Sequence, residues 1–289
     1  MTSAAMPTLS SGFDHLRPRD FDRLSKFIHG YCGIKLPPSK RTMLEGRLRR
    51  RLRETGLPDL ATYCNFLFEK GGLDEELVHL IDVVTTNKTE FFREPSHFQF
   101  LAQTAVPRLL AARRTGSVRP LKLWSAACSN GAEPYTLAMV MAELGLQRPE
   151  LQSTIIATDI CTEVLEAAIL GIYPAAMAES IPLALRQRYM MKSKISARAQ
   201  VRVVPGLRRQ VQFGRLNLMD EVYPVGRDID VIFCRNILIY FDRPTQELVL
   251  QNLCNCLNPG GYLFLGHSES LADFVLPLAP VGNTIFRRL

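Results

Sequence analysis

The most constraining feature of the sequence is an alternation of short apolar runs with helical segments, which begins at Leu121. Four runs have the composition of buried strands, at residues 121–125, 153–158, 231–234 and 261–266. The intervening segments repeat apolar residues at helical spacing, at 134–144, 162–170 and 244–257. Nearly continuous apolar strands that alternate with helices are typical of a parallel sheet with both faces covered. The sequence therefore predicts an α/β domain over residues 87–289.

The part of the chain before this alternation predicts only helices. Phe21, Leu24 and Ile28 recur on one face of a helix, with Asp20 as a possible N-cap. Further helical patterns follow near 40–53, 61–70 and 75–84. We predict a helical domain over 16–86, preceded by a disordered tail over 1–15 that is rich in Ser, Ala and Thr.

A basic stretch at about 190–213 interrupts the alternation of strands and helices. Residues 201–204 and 210–213 alternate apolar and polar side chains as strands do. We predict that this stretch is a small antiparallel β insertion.

Composition limits the compartment and the partners. No apolar run approaches the roughly 20 residues that span a bilayer, so we expect no membrane insertion. The seven cysteines have neither disulfide-framework nor metal-ligand spacing, which predicts a reducing, cytoplasmic location and no metal site. The net charge of +7 favours an acidic partner. Charge alone does not choose between nucleic acid, a membrane face and an acidic protein.

The loop after the first strand is a candidate ligand site. It reads Ser-Ala-Ala-Cys-Ser-Asn-Gly over 125–131, and a helix begins near Glu133. A strand, a loop of small residues and a helix N-terminus let a ligand approach backbone N–H groups closely. One glycine instead of GxGxxG makes a dinucleotide site improbable. S-adenosylmethionine suits the loop better, since Glu133 could neutralise its positive charge, although a tight turn with a surface glutamate explains the loop alone equally well.

A second candidate is Asp159, which follows the second strand. An acid at this place is positioned to bind ribose hydroxyls. It could instead cap the helix that starts near Thr162. Given the first loop we favour the ribose role, and the two features together predict a nucleoside cofactor without identifying the reaction.

Three further blocks carry a resemblance to a known family. They are Thr-Thr-Asn-Lys-Thr-Glu-Phe-Phe-Arg-Glu at 85–94, Phe-Cys-Arg-Asn-Ile-Leu-Ile-Tyr-Phe-Asp at 233–242 and Gly-Gly-Tyr-Leu-Phe-Leu-Gly-His-Ser-Glu at 260–269. With residues 124–135, they resemble the chemotaxis receptor methyltransferases, the CheR-type protein-glutamate O-methyltransferases. The resemblance is collinear from about Phe21 to Phe286. It implies a small N-terminal helical domain, then a Rossmann-like class I methyltransferase domain with a small antiparallel β insertion.

The resemblance also implies roles for single residues. Contacts to S-adenosylmethionine, whose product is S-adenosylhomocysteine, fall on Asn87, Thr89, Arg93, Glu133 (methionine moiety), Asp159 (ribose), Asn217 and Leu218 (adenine), Arg235 and Asn236 (methionine end). Tyr240 matches a tyrosine near the transferred methyl group. A glutamate acceptor is already ionised at neutral pH, so the reaction requires no strong general base. We assign Arg93 and Tyr240 as the catalytic residues: Arg93 positions the substrate carboxylate or the cofactor end, and Tyr240 orients the attacking oxygen. We expect His267 only to order its loop.

The sequence departs from the family pattern at two places. The usual Gly-Glu-Glu-Pro-Tyr is Gly-Ala-Glu-Pro-Tyr at 131–135, so Ala132 leaves Glu133 alone to meet the cofactor's charge. This substitution favours, as the alternative, a catalytically weak cofactor-binding signalling regulator. Some members use the β insertion to grip a peptide at the receptor's C-terminus, but 192–200 lacks the glycines expected in its tip.

The basic helix at 40–53 bears on the choice of partner. Its arginines by themselves indicate a solvated helix face. The resemblance makes Arg47, Arg50 and Arg51 a docking surface for acidic cytoplasmic helices of chemoreceptors. We expect no nucleic-acid partner, because 235–240 reads Arg-Asn-Ile-Leu-Ile-Tyr where base methyltransferases usually carry an Asn/Asp-Pro-Pro-aromatic loop. We expect a monomer.

Overall fold

The computed structural model describes residues 15–112, 119–195 and 199–289. The predicted tail over 1–15 lies outside the described residues, apart from His15. The chain divides into two compact units. The first holds the residues up to His29 together with Leu36–Val84, and the second holds Gly30–Lys35 and Thr85–Leu289.

The first unit is helical, as the sequence predicts. Its helices are α1 (Pro18–Cys32, of which residues 30–32 belong to the second unit), α2 (Arg41–Thr55), α3 (Leu60–Glu69) and α4 (Leu73–Val84), with a 3-10 turn at Pro38–Lys40. Helix α2 buries the stripe of Leu44, Leu48 and Leu52. It ends at Gly56, whose left-handed backbone (φ 70°) stops the helix, and Asp59 caps α3 by accepting a hydrogen bond from the Thr62 N–H at 2.7 Å.

The helices of the second unit are α5 (Pro95–Phe100), α6 (Val106–Ala112), α7 (Ala132–Gln147), α8 (Thr162–Leu170), α9 (Leu183–Tyr189), α10 (Pro205–Arg208) and α11 (Arg243–Cys256). A π-helical turn at Leu101–Ala105 joins α5 to α6, and 3-10 turns lie at Ala175–Ser180 and Leu238–Tyr240. Among the described residues of both units, no helix has the length and apolar character that crossing a membrane requires.

The strands of the second unit are β1 (Leu121–Ala126), β2 (Ser153–Asp159), β3 (Ile172–Pro174), β4 (Met190–Lys192), β5 (Gln200–Val203), β6 (Val211–Arg215), β7 (Ile229–Cys234), β8 (Leu257–Leu265), β9 (Leu278–Gly282) and β10 (Ile285–Arg288). Among the described residues, seven of them form one sheet in the order β6-β2-β1-β7-β8-β10-β9. The first five in this order pair in parallel, and β10 and β9 are antiparallel additions. This confirms the predicted α/β class.

Alternate residues of each central strand enter different apolar clusters, which explains why the strands are apolar throughout. Leu123 and Phe233 belong to the cluster on one face of the sheet. Trp124 and Ile232, their neighbours in sequence, belong to the other cluster. Successive strand side chains point to opposite faces, so a sheet that is covered on both faces needs apolar residues at every position.

The strand order reverses between β1 and β7, and this determines where a ligand can bind. From β1 the chain continues outward to β2 and β6, whereas β7 and β8 lie on its other side. In open parallel sheets the loops diverge at such a switch point and leave a crevice at the carboxyl ends of the strands. The loops after β1, β2, β6, β7 and β8 therefore converge on one region.

The β insertion exists, but its strands differ from the prediction. The small antiparallel sheet has the order β3-β5-β4, so it begins at Ile172 and ends at Val203. Residues 211–213, which we expected in the insertion, belong to β6, which pairs in parallel with β2 from Ile155↔Val211 onward. Alternation along a strand shows that one face is buried but not which strand is its neighbour, and this is why the sequence misplaced the segment.

Candidate functional site

The loop after β1 has an unusually strained backbone. Ala127, Ser129 and Gly131 all adopt left-handed conformations, with φ of 58°, 51° and 87°. A side chain at Gly131 would place its Cβ only 2.8 Å from the Cβ of Ala168, so glycine is required there for space as well as for conformation. Non-glycine residues in this region cost free energy and persist only where their surroundings hold them, which is common at functional sites.

Asp159 at the end of β2 is one of the groups that hold this loop. Its buried carboxylate accepts hydrogen bonds from the backbone N–H groups of Ser129 at 2.8 Å and Cys161 at 2.9 Å. Cys161, and not Asp159, is the N-cap residue of α8. Asp159 therefore joins the ends of β1 and β2, and its contact with a ribose stays a prediction.

The 85–94 block lies against the same two loops. The Asn87 carbonyl accepts a hydrogen bond from the Ser129 hydroxyl at 3.1 Å, and the Asn87 side-chain amide lies 3.4 Å from the Cys161 sulfur. Thr89 is half-buried two residues further on. The structure thus brings Asn87 of this block together with the loops after β1 and β2.

The predicted acid of the first loop, Glu133, is paired within the protein. One carboxylate oxygen accepts from the Ser125 hydroxyl at 2.7 Å, and the other accepts from Arg235 Nε at 2.7 Å. The side chains of Glu133 and Arg235 are 10% and 2% exposed, so this is a buried ion pair. The sequence suggested that Glu133 alone meets a bound cation, whereas in the structure its charge is already balanced, because a carboxylate removed from water requires a partner.

Arg235 is the most connected side chain of the site. Besides Glu133, its guanidinium donates to the Arg93 carbonyl at 2.7 Å and to His97 Nδ1 at 3.2 Å, and it lies 3.4 Å from Glu94 Oε2. It thereby ties the end of β7 to the start of α7 and to the segment that leads into α5. Sequence reasoning named Arg235 but missed Glu94 and His97, although Glu94 closes the 85–94 block.

His97 is buried and neutral. Burial and the charge of Arg235 lower the pKa of His97 to about 4. With Nδ1 accepting from Arg235, the Nε2–H donates to the Asn283 carbonyl at 3.2 Å. Burial opposes ionisation of Glu94, but the His267 backbone N–H and Arg235 outweigh it and lower the pKa of that carboxyl.

Glu94, His97 and His267 present ligand atoms within 4.8 Å of one another, a spacing that a metal ion could use. Arg235 approaches both Glu94 Oε2 and His97 Nδ1, so a cation is already at this point. A metal ion would have to displace it. We therefore assign Glu94 and His97 as partners of Arg235, and His267 as a partner of Glu94, to which its backbone N–H donates at 3.2 Å.

The loop after β7 is anchored by Glu269, whose role sequence reasoning missed although it closes the 260–269 block. The Glu269 carboxylate accepts from the backbone N–H groups of Asn236, Leu238 and Gly266 at 3.0, 2.8 and 2.6 Å. Asn236 has a left-handed backbone (φ 59°), and its side-chain amide lies 3.4 Å from Glu94. Two adjacent predicted site residues are thus held by different carboxylates: Glu133 binds the Arg235 side chain, and Glu269 binds the Asn236 backbone N–H.

The remaining predicted residues follow β6, follow β7 or precede α5. Asn217 follows β6 and donates from its side chain to the Tyr31 carbonyl at 2.6 Å, while Leu218 is buried in an apolar cluster. Tyr240 ends the 3-10 turn after β7 and is half-buried. Arg93 is half-buried, and its side chain donates to the Lys88 carbonyl at 3.2 Å.

Residues 87–284 match the family described as "CheR methyltransferase, SAM binding domain", and residues 19–85 match "CheR methyltransferase, all-alpha domain". The chain belongs to the CheR methyltransferase family. It is 36% identical over 286 residues to chemotaxis protein methyltransferase 2 of Pseudomonas aeruginosa, which covers 99% of this chain and 98% of the relative. It is 40% identical over 266 residues to the chemotaxis protein methyltransferase of Escherichia coli, which covers 92% and 89%.

As a CheR methyltransferase the protein is an S-adenosylmethionine-dependent enzyme, and the site is suited to that cofactor. Buried carboxylates end β2 and begin α7, and the connecting loop has small side chains, so backbone and acid groups can approach a ligand closely. Ala132 of this CheR chain is fully buried in an apolar cluster. A glutamate there would place a charge in that cluster, so the alanine agrees with its surroundings here.

The three arginines proposed for docking all have partners in the helical unit of this CheR protein. Arg51 donates to both oxygens of Glu76, and Arg47 donates to the Val84 carbonyl at 2.6 Å. Arg50 is more exposed and pairs with Glu54. The docking role of the three stays a prediction.

Replacing His97 with glutamine is expected to flatten the dependence of stability on pH. A histidine whose pKa is lowered on folding binds its proton only in the unfolded state between about pH 4 and 6.5. The contribution of His97 to the free energy of unfolding is therefore fully present above that window, and it falls by up to about 3 kcal/mol as the pH drops through it. Urea unfolding at pH 7 and pH 5 measures the effect. His79→Gln, at an exposed position of α4, should keep the wild-type dependence, and an unchanged slope in His97→Gln would contradict the assignment.

Proposed function

We propose that this CheR methyltransferase transfers the methyl group of S-adenosylmethionine to glutamate side-chain carboxylates of methyl-accepting chemoreceptors, giving glutamate methyl esters. The observation that carries the proposal is the similarity to chemotaxis protein methyltransferases over nearly the whole length of both chains. We also propose that the protein acts in the cytoplasm, in accord with its seven cysteines, all of which are buried free thiols.

We assign the cofactor contacts by their place in the fold. Asp159 would hold the ribose, and Asn217 and Leu218 after β6 would flank the adenine. At the methionine end of the cofactor, the Glu133 carboxylate would bind the ammonium group and the Arg235 guanidinium would bind the carboxylate group. Asn87, Thr89, Arg93 and Asn236 complete the set. When bound, S-adenosylmethionine supplies an activated methyl group.

The residues of the site would then orient the acceptor and need not remove a proton from it. A glutamate carboxylate has an ordinary pKa near 4.3 and is ionised at neutral pH. The buried His97 is already an acceptor for Arg235, so it is not free to act as a base. Aligning reactants in a water-excluded site can supply roughly 7–11 kcal/mol of the barrier reduction. We assign this alignment to Arg93 and Tyr240.

We propose that acidic helices of the receptor bind the basic face of α2 through Arg47, Arg50 and Arg51. Arg50 is the most exposed of the three and contributes charge, whereas Arg47 and Arg51 also stabilise the helical unit. Attraction between exposed charges is screened over about 8 Å at physiological ionic strength, so receptor binding should weaken as salt is added.

The test is transfer of labelled methyl from S-adenosylmethionine to chemoreceptor-containing membranes, followed by mild alkali. Carboxyl methyl esters release volatile methanol, whereas N-methyl groups stay on the acceptor. Arg93→Ala and Tyr240→Phe should each reduce turnover about tenfold or more, equivalent to losing roughly 1.4 kcal/mol of transition-state stabilisation. Arg287→Ala, an exposed arginine on β10, is the matched control and should label at the wild-type rate.

The same assay separates the enzyme from the alternative that Ala132 suggests. A signalling regulator would bind S-adenosylmethionine and leave receptors from a range of sources unlabelled. Alkali-labile labelling would exclude that alternative. Wild-type rates in both Arg93→Ala and Tyr240→Phe would contradict the two catalytic assignments.

A further inference from the structure

Glu269 is a buried carboxylate whose partners, among the described residues, are backbone N–H groups. Glu269 as a whole is 5% exposed. One oxygen accepts from Asn236 N and Gly266 N at 3.0 and 2.6 Å, and the other accepts from Leu238 N at 2.8 Å. Hydrogen bonds that a charged group accepts are about twice as strong as neutral ones. One side chain thus determines the path of two loops, those after β7 and β8.

The loop after β7 needs such an anchor because its conformation is costly. Asn236 has a left-handed backbone (φ 59°), a conformation that asparagine adopts more readily than most residues other than glycine but that still has to be held by its surroundings. The loop also touches the turn after β8, where a Cβ at Gly266 would lie 2.3 Å from Asn236 Nδ2 and 2.8 Å from its backbone nitrogen. The two loops are therefore packed backbone to backbone, and the carboxylate lies where they meet.

The loop after β7 carries two of the residues that we propose to contact the cofactor or the substrate. Asn236 is a proposed cofactor contact, and Tyr240 ends the 3-10 turn Leu238–Tyr240 directly after the anchored N–H groups. Glu269 itself is held by a turn, in which its own N–H donates to the Gly266 carbonyl at 2.9 Å. The anchor is therefore part of a short rigid segment that is joined to the end of β8.

We propose that Glu269 is a positioning residue for methyl transfer, whose carboxylate holds the loop after β7 so that Asn236 and Tyr240 face the site. The proposal rests on the roles assigned to those two residues under the proposed function. Glu269 acts through the backbone of the loop and touches neither ligand. A purely structural role would lower stability alone, whereas a positioning role changes cofactor affinity and turnover in a protein that is still folded.

The test compares wild-type protein with Glu269→Gln, which keeps the shape of the side chain and removes its charge. Hydrogen exchange of the Asn236, Leu238 and Gly266 amides should become faster in the variant. Calorimetry should show weaker binding of S-adenosylhomocysteine, and kcat should fall roughly 10- to 100-fold, the size expected when reacting groups are displaced by about 1 Å. Since the docking surface is untouched, KM for the receptor should stay within about twofold of wild type, a change of less than 0.5 kcal/mol.

Two further variants make the result decisive. Asp273→Asn removes a carboxylate four residues away whose side chain is 70% exposed, and it should leave every readout at the wild-type value. In Gly266→Ala the new Cβ would displace Asn236, which it would approach to 2.3 Å, while the Glu269 carboxylate is unchanged. This variant should reproduce the loss of kcat even if Glu269→Gln folds poorly. Circular dichroism establishes that each protein is folded.

Unchanged amide exchange and unchanged S-adenosylhomocysteine affinity in both folded loop variants would overturn the proposal. A fall in stability with normal kcat would overturn it equally, since that outcome is a structural role only. A third outcome is that wild-type protein labels no receptor while the two loop variants still show faster amide exchange and weaker S-adenosylhomocysteine binding. That outcome would support the role of Glu269 in holding the loop and would contradict the proposed receptor function. Exchange and affinity do not require turnover, so the two failures are distinguishable.

Discussion

Arg235→Ala is expected to lower the free energy of unfolding by about 3–5 kcal/mol, the usual cost of removing one partner from a buried ion pair. The variant leaves Glu133 buried, and the Ser125 hydroxyl is then its remaining hydrogen-bond partner within the described part of the chain. It also removes the donor to the Arg93 carbonyl and to His97. The end of β7, the start of α7 and the segment that leads into α5 would then lose their common contact.

The same change is expected to weaken S-adenosylhomocysteine binding by about 100-fold or more, since two lost interactions of a charged group amount to roughly 3 kcal/mol. Urea unfolding measures the stability and calorimetry measures the affinity. Arg243→Ala is the matched control, because that guanidinium pairs with Asp273 while both side chains are more than half exposed. Exposed pairs contribute about 0–1 kcal/mol, so the control should be close to wild type. Equal effects in the two variants would show that Arg235 does not have the central place described here.

Asp159→Asn is expected to reduce the affinity for S-adenosylhomocysteine by about 100-fold while the protein remains folded. The amide retains one acceptor oxygen, so it can keep either the Ser129 or the Cys161 N–H but not both in the same geometry. Losing one charge-assisted bond in the loop and one to the ribose removes roughly 3 kcal/mol, which corresponds to about a factor of 100.

Calorimetry with S-adenosylhomocysteine checks this result. Asp228→Asn is the control, since Asp228 is a half-exposed carboxylate at the other end of the sheet that pairs with Lys122 at 2.6 Å. That variant should bind within about twofold of wild type, a difference of less than 0.5 kcal/mol. Full affinity in Asp159→Asn would mean that the acid serves only to join the loops after β1 and β2.

Much of the fold was readable from local patterns. The apolar runs at 121–125 and 231–234 lie within β1 and β7, and the helical spacing at 162–170 coincides with α8. Such patterns are local, because the period of a helix or a strand is set within a few residues of the chain. Local patterns do not show which strands pair. The alternation at 211–213 correctly predicted a strand, but we placed that strand in the antiparallel insertion, whereas it pairs in parallel with β2.

The candidate site was readable only in part. The family resemblance pointed to Glu133, Asp159 and Arg235 as residues of one site. They did not indicate that Arg235 pairs with Glu133, which is 102 residues away along the chain, or that Asp159 holds Ser129, 30 residues away. Glu94 and Glu269 were present in the quoted blocks, but no spacing rule assigns partners to an isolated acid.

The sequence by itself determined the two-part organisation, the α/β class and the family, and it predicted the segments of the candidate site. These depend on local periodicity and on contiguous blocks of residues. Only the tertiary structure decided which charges are buried together and which backbone N–H groups Glu269 and Asp159 hold. The physical reason is that the state of a buried charge depends on the groups packed around it, and here those groups come from strands and loops far apart in the chain.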